Sequence, residues 1–251
     1  MTPQALTAAQ YTGKAAAYKA SVGHANRSAL DNLVELVSPR GTERMLDIAT
    51  GGGHTAHAFT PHVARAVAYD LVPEMVVQAA REGVLGVRGM AEALPFASGS
   101  FDLVACRLSA HHFADIDAFL HESRRILVPG GRLLLVDVIV PEDQETADEI
   151  NRIERLRDPS HGRNLSPSEW KTRVEATGFD VSHTSVAPFG GGLRMEFDDW
   201  TRRIGTPESN FAPLRASFHD ATPALRDAMR LEISDTITFE LDELTLLARS
   251  I

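Results

Sequence analysis

Short runs of apolar residues alternate with helical patterns between about Arg44 and Val140. Apolar runs of this length are typical of strands buried on both faces of a parallel sheet, and helical segments connect such strands. The alternation therefore predicts an α/β doubly wound, Rossmann-like fold for this region. The predicted strands contain Met45-Leu46 with Ile48-Ala49, Ala66–Tyr69, Val84–Val87, Leu103–Cys106 and Leu133–Val136.

Helix signals fall between these strands. Pro73 and Glu74 suit a first helical turn, because proline loses no hydrogen bond there and an acid faces the positive end of the helix dipole. Asp115 precedes a second helix, which is predicted to end at Pro129-Gly130-Gly131. The apolar face of that helix contains Ile116, Phe119, Leu120 and Leu127.

The regions on either side of this core have other patterns. Ser166-Pro167-Ser168-Glu169 is a capping box that begins a helix ending at Gly178, and a strand resumes at Phe179. The polar, proline-containing stretch 189–231 predicts short helices inserted before the final strands. Alternating apolar residues over 237–248 predict a closing antiparallel hairpin.

Composition restricts the partners of the chain. Lys and Arg number 25 against 34 Asp and Glu, so the net charge is −9, whereas nucleic-acid and anionic-membrane binding requires clustered basic residues. The single cysteine, Cys106, excludes an intrachain disulfide and favours a reducing compartment. We find neither a signal peptide nor an apolar run of membrane-spanning length, and we expect a cytoplasmic protein without nucleic-acid or membrane partners.

A glycine-rich turn follows the first predicted strand, in Leu46–His54. Glycines let the chain bend tightly and let a ligand lie against the main chain, and Asp70 ends the next strand, where it can accept both hydroxyls of a ribose. Gly51-x-Gly53-x-x-Ala56, with Asp70 about 20 residues later, also fits a dinucleotide site. Asp47 argues against NAD, because a carboxylate is poorly placed beside a pyrophosphate but suits an ammonium group. A cofactor that is cationic at one end is therefore predicted.

Further sequence blocks occur in the order and spacing of a known family. The blocks are Leu46–Gly53, Asp70, Ala91–Phe96, Ser100–Val104 and Leu127–Leu133. With them the chain resembles the class I S-adenosylmethionine-dependent methyltransferases, most closely the branch around the ubiquinone/menaquinone-biosynthesis C-methyltransferases and their uncharacterised bacterial small-molecule relatives. This resemblance implies S-adenosylmethionine as cofactor. It also implies a seven-stranded sheet with its last strand antiparallel, which agrees with the predicted hairpin.

The resemblance also implies roles for individual residues. Asp47 and the backbone of the glycine-rich turn would hold the methionine part of the cofactor, Asp70 the ribose, and Met75 the adenine. Met90 departs from the family, in which an acidic residue commonly accepts a hydrogen bond from the adenine amine; Met90 can only pack against the ring. The implied cofactor-binding residues are Asp47, Ala49, Gly51, Gly53, Asp70, Leu71, Met75, Met90, Ala91, Glu92 and Arg107.

Histidines supply the candidates for acid–base chemistry. His111 and His112 follow the fourth predicted strand, whose carboxyl end faces the reacting methyl group in the implied fold, so either can take a proton from the methyl acceptor. A structural role in the following turn is the alternative for both. His161 lies in a basic segment predicted to fold over the acceptor pocket and is the third catalytic candidate. His54 and His57 lack further ligands nearby, and we expect no metal site.

We predict a methyltransferase with a small-molecule acceptor, built as a single domain over residues 1–251. Within it we expect an N-terminal helical lid over 1–43, the cofactor-binding core over 44–140, and substrate-pocket elements with the closing strands over 141–251. Tyr11, Tyr18 and His24 are candidate lid residues. Two alternatives remain: a non-catalytic S-adenosylmethionine-binding regulatory or partner protein, supported by Met90, and an NAD-dependent oxidoreductase, disfavoured by Asp47. The acceptor atom and the oligomeric state do not follow from the sequence.

Overall fold

The computed structural model describes residues 1–19, 25–81 and 83–251. The strands are β1 (Arg44–Ile48), β2 (Arg65–Asp70), β3 (Leu85–Arg88), β4 (Phe101–Arg107), β5 (Leu127–Ile139), β6 (Phe179–Pro188), β7 (Met195–Glu196), β8 (Glu232–Ile233), β9 (Ile237–Phe239) and β10 (Asp242–Ser250). A seven-stranded sheet has the order β3-β2-β1-β4-β5-β10-β6, and a second sheet has the order β7-β9-β8.

Helices cover both faces of the larger sheet and one end of it. The helices are α1 (Pro3–Tyr11), α2 (Ala15–Lys19), α3 (Arg27–Val37), α4 (His54–Phe59), α5 (Pro73–Ala79), α6 (Ile116–Ile126), α7 (Gln144–Arg157), α8 (Pro167–Ala176), α9 (Phe189–Gly192), α10 (Phe197–Ile204), α11 (Glu208–His219) and α12 (Pro223–Ala228). Single 3₁₀ turns occupy Thr60–His62 and Ala110–His112. Within the described residues, every helix is too short or too polar to cross a membrane.

The pairing of the strands confirms the predicted α/β doubly wound fold. Strand β1 is parallel to β2 and β4, and β4 is parallel to β5. The last strand, β10, runs antiparallel between β5 and β6. This arrangement brings the carboxyl ends of β1, β2, β4 and β5 to one edge of the sheet, where the predicted site residues lie.

Both faces of the sheet are buried, which explains the continuous apolar runs of the sequence. On β1, Met45 packs into a cluster that includes Trp200 from the inserted helices. Leu46, its neighbour, packs into the opposite cluster, which includes Trp170 of α8. Both β1 side chains are fully buried, so the sheet is held between two apolar layers.

Two predictions, about the end of one helix and the pairing of the last strands, are wrong. The helix after Asp115 ends at Ile126, not at Pro129, because Leu127 pairs with Phe101 as the first residue of β5. The predicted closing hairpin is also absent from the described residues, because β9 pairs with β7 and β8 whereas β10 enters the large sheet. Alternation along a strand identifies its buried face but not the sheet to which the strand belongs.

Other local predictions are confirmed. Ser166 caps α8 through the predicted capping box with Glu169, and β6 begins at Phe179. The stretch 189–231 contains four short helices, α9 to α12, as expected from its composition. Of the proposed lid residues, His24 lies outside the described residues, and Tyr18 lies in α2.

Candidate functional site

A cleft opens at the carboxyl edge of the sheet. It contains about 1540 Å³ of space free of protein atoms, part of it open to solvent. The turn after β1, the ends of β2 and β4, and helices α1, α7 and α10 all contribute to its wall. Such a concave site at the ends of parallel strands is where ligands bind in open α/β sheets.

The glycine-rich turn forms the floor of one half of the cleft. Gly51 and Gly53 have positive φ angles of 53° and 84°, which glycine adopts without steric cost. A Cβ atom at Gly51 would enter open space, whereas one at Gly53 would lie 3.0 Å from Ala79. Ala49, which lines the cleft, also has a positive φ of 54°, an uncommon angle for a residue with a side chain. The turn thus exposes bare main chain to the cleft.

Asp47 lies beneath this turn and outside the cleft wall. Its Oδ2 accepts hydrogen bonds from the Thr50 hydroxyl at 2.6 Å and the Ala56 N–H at 3.1 Å. Burial raises the pKa of Asp47 to about 7, against these bonds and the charge of Arg107, which lower it. The structure therefore places Asp47 as a support for the turn, with Gly53 beside it outside the wall.

Asp70 ends β2 and lines the cleft. Its Oδ2 accepts the Gly51 N–H and its Oδ1 accepts the Val72 N–H, each at 2.9 Å. Burial raises the pKa of Asp70, although these backbone bonds lower it. Each carboxylate oxygen has a second lone pair, so Asp70 can accept two further hydrogen bonds from a ligand.

An apolar wall continues beyond Asp70. Leu71, Met75, Met90 and Ala91 all line the cleft there, and Glu92 lies at its edge. The Met90 carbonyl accepts the Tyr69 hydroxyl at 3.0 Å, and its side chain is 42% exposed. Glu92 accepts the Ala114 N–H at 2.9 Å. The apolar side chains of this wall suit a purine ring.

Arg107 ends β4 in the middle of the cleft and is 8% exposed. Burial lowers the pKa of its guanidinium, and the charges of Glu243 and Asp47 oppose that shift. A buried guanidinium between carboxylates remains charged, because arginine does not deprotonate in proteins. Arg107 can therefore face a ligand carboxylate from this position.

These residues fit the two ends of the predicted cofactor. The open space above Gly51 admits a ligand against the main chain, and Asp70 has acceptor capacity for ribose hydroxyls beside it. Asp70 ends β2 and Arg107 ends β4, with β1 between them, whereas Met90 and Ala91 follow β3 on the other side of β2. A nucleoside and a charged amino-acid part therefore have separate places. The donor and acceptor chemistry therefore matches S-adenosylmethionine.

His111 occupies the other half of the cleft together with Asp137 of β5. Its Nδ1 lies 2.6 Å from Oδ1 of Asp137, and its backbone N–H donates to Oδ2 at 2.9 Å. Because a carboxylate only accepts, Nδ1 carries a proton, and Nε2 of the neutral ring is left as an acceptor. No described residue forms a hydrogen bond with that Nε2. Burial lowers the pKa of His111. The charge and hydrogen bond of Asp137, with the charges of Glu154 and Asp158, outweigh burial, so the pKa is raised.

His112 is held on both ring nitrogens. Its Nδ1 donates to the Ser160 carbonyl at 3.1 Å, and its Nε2 therefore accepts the Tyr11 hydroxyl at 2.7 Å. Burial, with the charge of His111, lowers the pKa of His112 to about 4. A neutral ring with both nitrogens occupied has no lone pair left for an acceptor proton, so His112 fits the structural alternative and attaches α1 to the cleft.

His161 stacks on His111 with ring centroids 5.3 Å apart. Its Nε2 lies 3.3 Å from Oδ1 of Asn151, whose amide donates to the Asn164 carbonyl. Burial, with the charges of His111 and His112, lowers the pKa of His161 well below its usual range. His161 is therefore neutral and supports the His111 ring from its face.

Most of the predicted site residues meet in this one cleft, and Asp47 and Gly53 lie just behind it. The partner of His111 was missed, although Asp137 is an acid within the apolar run 133–138, which is a signal of function. The half of the cleft around His111, here called the acceptor half, has further lining within the range 141–251, where substrate-pocket elements were predicted. It is lined by Glu154, Arg157, Asp158, Asn164, Phe189, Met195, Trp200, Arg203 and Leu241. Within the described ranges no group of three His, Cys, Asp or Glu side chains is arranged to hold a metal ion.

Comparisons with known proteins agree with this geometry. A model of the methyltransferase domain matches residues 46–135. The uncharacterized methyltransferase YcgJ of Bacillus subtilis is 36% identical over 209 residues, which cover 80% of this chain and 81% of YcgJ. The ubiquinone/menaquinone biosynthesis C-methyltransferase UbiE of Dinoroseobacter shibae is 35% identical over 117 residues, 43% of this chain and 47% of UbiE.

Solved structures show the same relationship. The crystal structure of YcgJ superposes with a TM-score of 0.81 at 33% identity and covers 89% of this chain and 98% of YcgJ. The structure of a Bacillus halodurans protein assigned as a methyltransferase superposes with a TM-score of 0.83 at 31% identity, over 88% of this chain and 98% of that protein. The chain belongs to the class I S-adenosylmethionine-dependent methyltransferases.

Proposed function

We propose that this methyltransferase acts on a small-molecule acceptor and uses His111 as the general base. The observation that carries the proposal is the His111–Asp137 pair, joined at 2.6 Å, with Nε2 of His111 left without a described partner in the cleft. A histidine held in this tautomer by a buried carboxylate is ready to accept a proton.

Cofactor-binding roles are proposed from the same wall. Asp70 would accept the ribose hydroxyls, the apolar residues Met75 and Met90 would contact the adenine, and Arg107 would face the methionine carboxylate. The other cofactor-binding residues proposed in the wall are Ala49, Gly51, Leu71, Ala91 and Glu92. Asp47 and Gly53 would support the turn from behind it. When bound, S-adenosylmethionine supplies a methyl group already activated by its sulfonium.

The protein contributes position, proton handling and exclusion of water. Asp137 fixes the His111 tautomer and stabilises the imidazolium that forms when Nε2 takes a proton. His112 and Tyr11 hold α1 across the cleft, and Trp200 and Phe189 provide apolar wall. Because methyl transfer is an in-line displacement, most of its acceleration can come from holding donor and acceptor in contact.

The enclosure of the acceptor half supports a small molecule over a polymer. Tyr11 of α1, Asp158 after α7 and Trp200 of α10 all line this half. Two acids, two arginines and several apolar groups line this half, and the net charge of −9 gives no support to a nucleic-acid acceptor. The single, buried Cys106 favours action in the reducing cytoplasm.

Methyl-labelled S-adenosylmethionine tests this proposal. The protein is incubated with a bacterial extract separated into metabolite, protein and nucleic-acid fractions, and we expect label in the metabolite fraction. His111→Ala should abolish this labelling while calorimetry still shows S-adenosylhomocysteine binding. Label confined to protein or nucleic acid would contradict the small-molecule assignment. Cofactor binding with no label in any fraction would favour the non-catalytic alternative.

A further inference from the structure

Asp158 is a buried carboxylate in the wall of the acceptor half, 2% exposed. Its Oδ1 accepts the Ser160 N–H at 2.8 Å and the Ser160 hydroxyl at 2.7 Å. Both donors are neutral. Burying a carboxylate costs free energy unless a positive group balances its charge. A bound cation would therefore stabilise Asp158.

The second oxygen of Asp158 has no short hydrogen bond from a described residue. The Tyr11 hydroxyl lies 3.4 Å from Oδ2, but its one proton is directed to Nε2 of His112 at 2.7 Å. The His112 ring is 4.0 Å from Oδ2 and is neutral, because burial lowers its pKa to about 4. Oδ2 therefore retains acceptor capacity on the cleft side.

The charges of Lys14 and Asp158 act on each other, but the hydrogen bonds of Lys14 and the ion pair of the neighbouring Arg157 go to other groups. Lys14 donates from Nζ to the Ile204 carbonyl at 2.5 Å. Arg157 pairs with Glu154 at 3.1 Å, and its guanidinium lies 4.4 Å from the centre of the Trp200 ring. In the described part of the chain, no Lys or Arg nitrogen forms an ion pair with Asp158. A ligand cation can therefore supply the direct ion pair that Asp158 lacks among the described Lys and Arg side chains.

We propose, on the basis of the function above, that the acceptor is a small amine bound as its ammonium ion by Asp158, and that His111 takes the ammonium proton. The N–H bond breaks with its electron pair left on the amine nitrogen, and the proton forms a new bond with the lone pair on Nε2. The neutral amine then carries the lone pair that methylation requires.

The charge left on the acceptor after proton transfer favours an amine over a phenol or an enol. Proton transfer from an ammonium moves one positive charge to His111, where Asp137 is hydrogen-bonded to the ring. Deprotonating a neutral phenol would instead create a negative charge beside Asp158, which forms no ion pair with a described Lys or Arg, whereas Glu154 is already paired with Arg157. Like charges at short range are costly in a buried site.

Binding measurements test this assignment without turnover. The protein saturated with S-adenosylhomocysteine is titrated with matched probes built on phenylethyl, cyclohexylmethyl and butyl groups, each as an amine, an alcohol and a carboxylate. We expect at least one amine to bind about tenfold tighter than its alcohol, and no carboxylate to bind. Amines that do not bind, or that bind no better than the alcohols, overturn the assignment.

The same titrations with the variant Asp158→Asn provide a second test. This variant retains an acceptor for Ser160 but loses the charge, so the preference for amine over alcohol should disappear while affinity for S-adenosylhomocysteine and the melting temperature are kept. Asp148→Asn, on the exposed side of α7, is the matched control. An amine preference that survives Asp158→Asn contradicts the proposal. Failure of S-adenosylhomocysteine to bind the unmodified protein would instead count against the proposed function itself.

Discussion

The imidazole of His111 and the carboxylate of Asp137 form a buried pair, with Nδ1 and Oδ1 2.6 Å apart and side chains 14% and 1% exposed. A second bond, from the His111 N–H to Oδ2 at 2.9 Å, fixes the backbone as well as the ring. The carboxylate therefore determines which nitrogen of His111 faces the cleft. This pair connects the turn after β4 to β5 and leaves Nε2 as the ring nitrogen that can accept a proton.

His111→Ala should lower kcat by about 10²- to 10⁴-fold, the range typical for loss of a positioned general base. Steady-state kinetics and calorimetry together check this, because the affinity for S-adenosylhomocysteine should stay within about twofold. His121→Ala, on the exposed face of α6, is a control that should leave kcat unchanged. An equal kcat in both variants would remove His111 from the base assignment.

The pH profile should report the same group. His111 must be unprotonated to accept a proton, and its pKa is raised above 6.5, so kcat should rise with pH with a midpoint above 6.5. Burial lowers that pKa, while Asp137, Glu154 and Asp158 raise it. Asp137→Asn removes the largest of the raising charges, so the midpoint should move to lower pH while the plateau falls. An unchanged midpoint would contradict the pairing.

Asp70→Asn should weaken S-adenosylhomocysteine binding by roughly 10- to 100-fold, because a hydrogen bond to a charged group contributes about 1.5–3 kcal/mol. The pKa of Asp70 is raised by burial, so binding to the unmodified protein should also weaken as acidification protonates the carboxyl. Calorimetry across a pH series checks both effects. Asp235→Asn, at an exposed position, should leave binding unchanged; weakening in both variants would indicate a nonspecific charge effect.

Local sequence signals predicted the cofactor half of the site better than the acceptor half. Gly51 and Asp70 could be found because each follows a recognisable strand, and parallel strands end at one edge. Asp137 could not be paired with His111 from sequence, because that pairing depends on β4 and β5 being neighbours. Asp158 could not be identified as a pocket residue either, because a carboxylate just after a helix has the same local pattern whether a cleft or water covers it.

Met90→Asp should tighten S-adenosylhomocysteine binding by about tenfold, toward the lower limit for a charged hydrogen bond because this position is 42% exposed. The added carboxylate would accept from the adenine amine, which Met90 cannot do. Calorimetry with S-adenosylhomocysteine and with its N6-dimethyl analogue checks the cause, since the analogue lacks the donor. Met90→Leu should change neither affinity, and equal gains for both ligands in Met90→Asp would refute the adenine contact.

Tyr11→Phe should loosen α1 without unfolding the protein. No side chain of α1 is buried, so polar contacts hold the helix, among them the Tyr11 hydroxyl on His112 at 2.7 Å and the Gln10 amide on the Ile204 carbonyl at 2.8 Å. Losing one such bond costs about 1 kcal/mol, so the open population should rise about fivefold. Amide hydrogen exchange in Pro3–Tyr11 should quicken by that factor, while α3, which buries Leu30, exchanges as before. Unchanged exchange in α1 would show that the Tyr11 hydroxyl does not hold this helix over the cleft.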